Sequence, residues 1–242
     1  MFNKSTLPSG RHLDLAKINA EGVVKSYNSL GYEAVGVSRI DLAGGVDFLK
    51  ELERVSDFAW LSANLVDRKK RQYLFLPYII LKKNGLNTAV IGLTGSGETN
   101  EPEVQGRYMI LPWQDQLPKI MKEIGKQADL VILLSSLTPL ENEQISGHFP
   151  RIHIIIQAGM SSHNQDPSLI NNTLICQTEM QGKYIGHLRI NWKKDGKWTV
   201  ETTDEILLKR QEFDRLSWQV RRLESQGDPQ IVYKDNTVIS QS

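Results

Sequence analysis

The run Gly31-Tyr-Glu-Ala-Val-Gly-Val-Ser-Arg-Ile-Asp-Leu-Ala-Gly-Gly45, followed by Leu61-Ser-Ala-Asn-Leu65, decides the reading of this chain. Gly31 closes a helical pattern over residues 14–30, where Leu15, Ile18, Val23, Tyr27 and Leu30 recur at helical spacing. Residues 34–37 then form a short apolar strand. The chain leaves that strand through Ser38-Arg-Ile-Asp41. Residues 46–55 carry Phe48, Leu49 and Leu52 on one helical stripe, and residues 59–65 read as a second strand containing Ser62-Ala-Asn64. Helices and strands alternating in this way predict an α/β protein.

Working outward, residues 73–81 and 88–93 read as strands joined by a hairpin turn at Lys82-Lys-Asn-Gly85. Residues 117–124 read as a helix. Residues 130–134 and 152–156 are unbroken aliphatic runs, which predict buried strands. Residues 174–177, 187–192 and 198–201 read as further strands, the last two joined by Lys193-Lys-Asp-Gly196. Alternation early and hairpins late predict two packed sheets with helices outside. Residues 204–226 read as one final helix, capped by Asp204 and stopped by Gly227 and Pro229. Ile206, Phe213 and Val220 recur every seven, with Leu216 and Leu223 at the offset positions; Lys209 breaks the seam and Trp218 lies off it. This helix either packs on its own domain or pairs with a protein partner or a second copy.

The 29 basic and 28 acidic residues leave a net charge of +1, so no global field favours nucleic acid or an anionic membrane. Arg68-Lys-Lys-Arg71 is read as a solvated loop. A single cysteine, Cys176, excludes an internal disulfide and a cysteine-rich zinc site, and its apolar strand predicts an inert thiol. No apolar run is long enough to span a bilayer. Met1-Phe-Asn-Lys4 runs into a polar stretch instead of the apolar core of a signal peptide.

The quoted run resembles G-Y-D-A-V-x-x-G-N-H-E-F-D-x-G of the calcineurin-like metallophosphoesterases, in the 5'-nucleotidase/UDP-sugar hydrolase (UshA-like) branch. Ser38 stands at the glycine, Arg39 at the asparagine and Ile40 at the histidine. Further pieces follow in family order: Leu76-Pro-Tyr-Ile-Ile80, Thr88-Ala-Val-Ile-Gly-Leu-Thr94, Ala128-Asp-Leu-Val-Ile-Leu-Leu-Ser135, Ile152-His-Ile-Ile-Ile-Gln-Ala-Gly159 and Gln181-Gly-Lys-Tyr-Ile-Gly186. The resemblance covers about residues 20–192. It implies an α/β metallophosphoesterase-like two-sheet sandwich flanked by helices over residues 1–203, incomplete at its N-terminus with the first strands missing, and a C-terminal helix and tail over 204–242.

The resemblance also implies a phosphoric ester hydrolase using two divalent ions about 3.5–4 Å apart. The family draws ligands from D-x-H, G-D, the Asn-His pair, a lone His and His-x-His. The positions present here hold Arg39, Ile40, Ser136 and, depending on a one-residue shift, Gly159 and Ser161 or Met160 and Ser162. A hydrocarbon cannot bind a cation and a guanidinium repels one. The vestigial site positions are therefore Arg39, Ile40, Asp41, Asn64, Ser136, Met160, Ser162 and His163, with no catalytic residue and no metal or other cofactor expected. Asp41 is either functional or part of a local turn or an ion pair with Arg39. His163 is either a ligand or a loop residue, and His153 is expected to be a hydrogen-bonded structural histidine. Thr94-Gly-Ser-Gly97 is either a phosphate cradle or a flexible loop.

The expectation is a catalytically degenerate domain with a binding or interaction role, taking an anion or nucleotide-like ligand, with a helix-mediated protein partner or homodimer as its further contact. The alternative is a phosphohydrolase acting on nucleotides or related phosphoesters, its metal site shifted or completed by a missing N-terminal segment. The family implies a periplasmic or exported protein.

Overall fold

The computed structural model describes residues 11–96, 107–159, 165–178, 185–192, 197–198, 215–218 and 220. The chain divides into two compact units, Met1–Lys197 and Trp198–Ser242. In the first, α1 (Arg11–Ser29) leads into β1 (Ala34–Gly36), a 3₁₀ turn (Arg39–Gly44) and α2 (Val46–Arg54). The strands β2 (Ala59–Leu61) and β3 (Leu65–Asp67) follow, then the hairpin β4 (Tyr78–Lys83) and β5 (Leu86–Leu93). Asn84 and Gly85 both have positive φ, 51° and 77°, as a tight hairpin turn requires. Next come β6 (Tyr108–Ile110), α3 (Trp113–Ile124), β7 (Leu130–Ser135), α4 (Pro139–His148), β8 (Ile154–Gln157), β9 (Gln165–Ile170) and β10 (Thr173–Gln177).

Six strands form one sheet in the order β4-β5-β7-β8-β10-β9. The central four run parallel, with β4 and β9 antiparallel at the edges. A parallel pair, β1-β2, lies across one face of it. Gly92 of β5 is required at that crossing: a Cβ there would stand 2.2 Å from the carbonyl oxygen of Leu61. The close approach lets Ala63 N–H donate to the Gly92 carbonyl at 2.8 Å, joining the two sheets by backbone. A third pair, β3-β6, is antiparallel.

Two apolar cores result. On one face of the large sheet, Ile91, Leu93, Val131, Leu133 and Ile155 pack against Leu117, Ile120 and Ile124 of α3 and Ile145 of α4. Beyond the small sheet, Trp60, Val37 and Phe58 pack against Ala20 and Val24 of α1 and Leu49 and Leu52 of α2. Each large aliphatic side chain so buried stabilises the fold by roughly 1.5–3 kcal/mol. The expected α/β architecture of packed sheets flanked by helices is present.

Several elements depart from the sequence expectations. Residues 59–65 break into β2 and β3, because Ser62 and Asn64 turn their side chains to other strand ends. Residues 73–81 become a strand only at Tyr78. Before Pro77 the segment pairs with the small sheets, through Leu76 to Leu61 and Tyr73 to Val66, and the proline marks the change of partner. Residues 187–192 form no strand. The helix α4 and the edge strand β9 were not expected at all. Most of residues 198–201 and of 204–226 lies outside the described residues. Within the latter, Arg215–Trp218 and Val220 are helical, with Leu216 47% and Val220 51% exposed.

Candidate functional site

The parallel strands bring their carboxyl ends to one edge, because β1 lies on β7 through Gly36 and Leu134 while β2 crosses β5 at Gly92. The segments leaving those ends are Ser38-Arg39-Ile40-Asp41, Ser62-Ala63-Asn64, Thr94-Gly95-Ser96, Ser135-Ser136-Leu137 and Gln157-Ala158-Gly159, with Gln177 at the end of β10. Ligands of open α/β sheets bind at such an edge. Arg39, Ile40, Asp41, Asn64 and Ser136 all stand there. Met160, Ser162 and His163 lie outside the described residues, as does Ser161.

Asp41, Asn64 and Ser136 each have a definite local role. Asp41 is buried, and its Oδ2 accepts from both the backbone N–H and the hydroxyl of Ser38, each at 2.9 Å. This reciprocal cap fixes the 3₁₀ turn on which Arg39 and Ile40 ride. Arg39 and Ile40 are half-buried. Asn64 is fully engaged: Nδ2 donates to the carbonyls of Thr94 at 2.8 Å and Leu111 at 3.0 Å, and Oδ1 accepts from Thr94 N–H at 2.8 Å. Ser62 and Thr94 share a hydroxyl contact of 2.7 Å, and Thr94 Oγ1 donates to the Val37 carbonyl at 2.7 Å. The ends of β1, β2 and β5 are thereby tied together by neutral groups.

Ser136 Oγ accepts from Gly95 N–H at 2.9 Å and donates to the Leu93 carbonyl at 3.3 Å. That contact, and the bond from Thr94 N–H to Asn64, commit two N–H groups that a phosphate cradle at Thr94-Gly-Ser-Gly97 would need. Gly97 lies outside the described residues.

His153 is structural, as expected. Its Nδ1 accepts from Val131 N–H at 3.0 Å and its ring meets Trp192 edge-on, centroids 4.6 Å apart. Burial, with a smaller contribution from the Arg151 charge, pushes its pKa down to about 4. Burial also raises the Cys176 thiol, which disfavours its reactive thiolate.

A di-metal centre needs several ionised or imidazole ligands converging on one point. Among the described residues no group of three or more His, Cys, Asp or Glu side chains converges. Among the described residues at this edge, Asp41 Oδ2 is held by Ser38, Asn64 is held by backbone groups, and Arg39 and Ile40 offer no lone pair, so these residues do not by themselves fit a pair of cations.

Sequence reasoning missed one constellation here. Ser135, Asn142 of α4, Gln157 and Gln177 form an unbroken line of hydrogen bonds at 2.7, 2.8 and 3.0 Å. No motif announces it; only the pairing of β7, β8 and β10 assembles it.

No protein-family model matches the chain. Curated relatives do. A 5'-nucleotidase of Vibrio cholerae is 25% identical over 201 residues, covering 69% of this chain and 36% of the relative. The chain thus spans about a third of the length of such relatives. Among solved structures, the Thermus thermophilus sulfate thiohydrolase SoxB superposes with a TM-score of 0.60 at 21% identity, over 69% of this chain and 31% of that one. The calcineurin-like phosphoesterase YfkN of Bacillus subtilis gives 0.52 at 18% identity, over 68% and 61%. The chain is related to the 5'-nucleotidase/UshA-like calcineurin-like metallophosphoesterases and has their fold over the matched part.

Proposed function

We propose that this domain binds a small phosphate-bearing ligand at the carboxyl edge of its strands and does not hydrolyse it. What supports the reading is a guanidinium and a hydrocarbon, Arg39 and Ile40, on a turn capped by Asp41, at positions where the family resemblance places lone-pair donors. A guanidinium that cannot lose its proton repels a cation and can engage a phosphate through two parallel N–H bonds. The nucleotidase names among the relatives favour a nucleotide or related phosphoester as the ligand. Calorimetric titration with AMP and inorganic phosphate tests it. Saturable binding by the wild type, weakened at least tenfold in Arg39→Ala, is expected. Equal or absent binding in both removes the proposal.

A second reading is a phosphohydrolase completed by chain beyond these residues. It is favoured by the one-third coverage of the nucleotidase relatives. Release of phosphate from AMP by this chain, or by it joined to further sequence, is the outcome that selects it.

A further inference from the structure

The line of amides behind the strand edge has a direction. Leu137 N–H donates to Ser135 Oγ at 3.2 Å, and that hydroxyl donates to Asn142 Oδ1 at 2.7 Å. Asn142 Nδ2 donates to Gln157 Oε1 at 2.8 Å, and Gln157 Nε2 donates to Gln177 Oε1 at 3.0 Å. Reversing every amide would leave two donors on the Ser135 oxygen and no described acceptor for its proton. Ser135 is 2% exposed and Asn142 0%, so an unmet hydroxyl proton there would be costly. The buried end therefore fixes the orientation of the half-buried end.

What the line delivers is a donor. Gln177 Oε1 is occupied by Gln157, and Gln177 Nε2 has no acceptor among the described residues. The Nε2 lies beside Gly159, where a Cβ would come within 3.3 Å of it. Bonds in series polarise one another, so the last N–H₂ is a better donor than an isolated amide. It is also held in place by a chain that ends in the core, unlike a surface glutamine free to turn.

We infer that Gln177 is a ligand-binding residue, its carboxamide N–H₂ donating to an anionic oxygen of the ligand, with phosphate as the chemical class. The inference rests on the binding reading above and adds to it a donor on the opposite face of the large sheet from β1. Asn142 and Gln157 act through Gln177 as positioning residues.

The test is a titration of the isotope-labelled 242-residue chain with inorganic phosphate, following side-chain amide resonances by NMR. The Gln177 pair is identified by its loss in Gln177→Ala. The expected result is a saturable shift of that pair, with the phosphate Kd raised about tenfold in Gln177→Ala and further in Gln177→Glu, which places a like charge against the anion. An unmoved Gln177 pair, or an unchanged Kd in Gln177→Ala, overturns the inference. Should Arg39→Ala then still abolish binding, the binding reading survives without Gln177. Should the wild type bind no phosphate, both fall.

Discussion

At the residue scale, Asn64 uses its polar atoms on three backbone groups of two other segments, all of them buried or half-buried. Removing that side chain leaves Thr94 N–H and two carbonyls without partners. Asn64→Ala is expected to lose about 3 kcal/mol of stability in urea unfolding, since each unmet buried group costs about 1–3 kcal/mol. A loss near zero would mean that the network does not hold the strand ends together. His153 sets the response to acid. Its pKa of about 4 lies below the ordinary 6.5, so the unfolded chain binds a proton that the folded chain refuses. The neutral ring's contribution is present above pH 6.5 and is lost as pH falls from there toward 4. Thermal melts over that window should show a fall in Tm that is smaller in His153→Gln; identical slopes would assign the acid sensitivity to other groups. Arg39, Ile40, Asp41, Asn64 and Ser136 were legible in the sequence as positions on the strand ends. The task of Asn64 was not, because a carbonyl clamp depends on atoms brought together across the fold.

At the scale of elements, the difference between what was legible and what was not has particular causes. The strands β5, β7 and β10 are aliphatic runs and announce themselves. The helix α4 has almost no apolar stripe to detect, yet its start was written in Thr138-Pro-Leu-Glu141: the Thr138 hydroxyl accepts from Glu141 N–H, Glu141 reaches back, and Pro139 opens the first turn. Thr138→Ala should cost about 1 kcal/mol, read from denaturant midpoints. An unchanged midpoint would mean that α4 is fixed by packing alone. The hairpin β9-β10 was signalled by Asn171-Asn172, whose φ values of 49° and 69° suit a tight turn. Pro167 hid β9, since proline is tolerated only at a sheet edge, which is where β9 lies. The partner change at Pro77 required knowing that two sheets compete for one segment.

At the scale of the molecule, the expected α/β architecture of packed sheets flanked by helices holds because helices cover one face of the large sheet and the small sheet lies on the other. Among the described residues no helix is long and apolar enough to cross a membrane. The seam of residues 204–226 belongs to the second unit, and its described members Leu216 and Val220 are exposed. A row of large aliphatic side chains in water is unfavourable by roughly 1.5–3 kcal/mol for each one left unburied. Light scattering is expected to give twice the 27.5 kDa chain mass, reverting to one chain in the double variant Leu216→Lys, Val220→Lys. A monomer in both removes pairing through that seam. The proposed function is that this edge binds a phosphate group and leaves it intact. The most direct measurement is ³¹P NMR of AMP mixed with the chain in the presence of Mg²⁺ and Zn²⁺. The account predicts that the AMP resonance moves with added protein and that no inorganic phosphate resonance grows beside it. Growth of that resonance, at a rate proportional to protein and absent from the metal-only control, would contradict it.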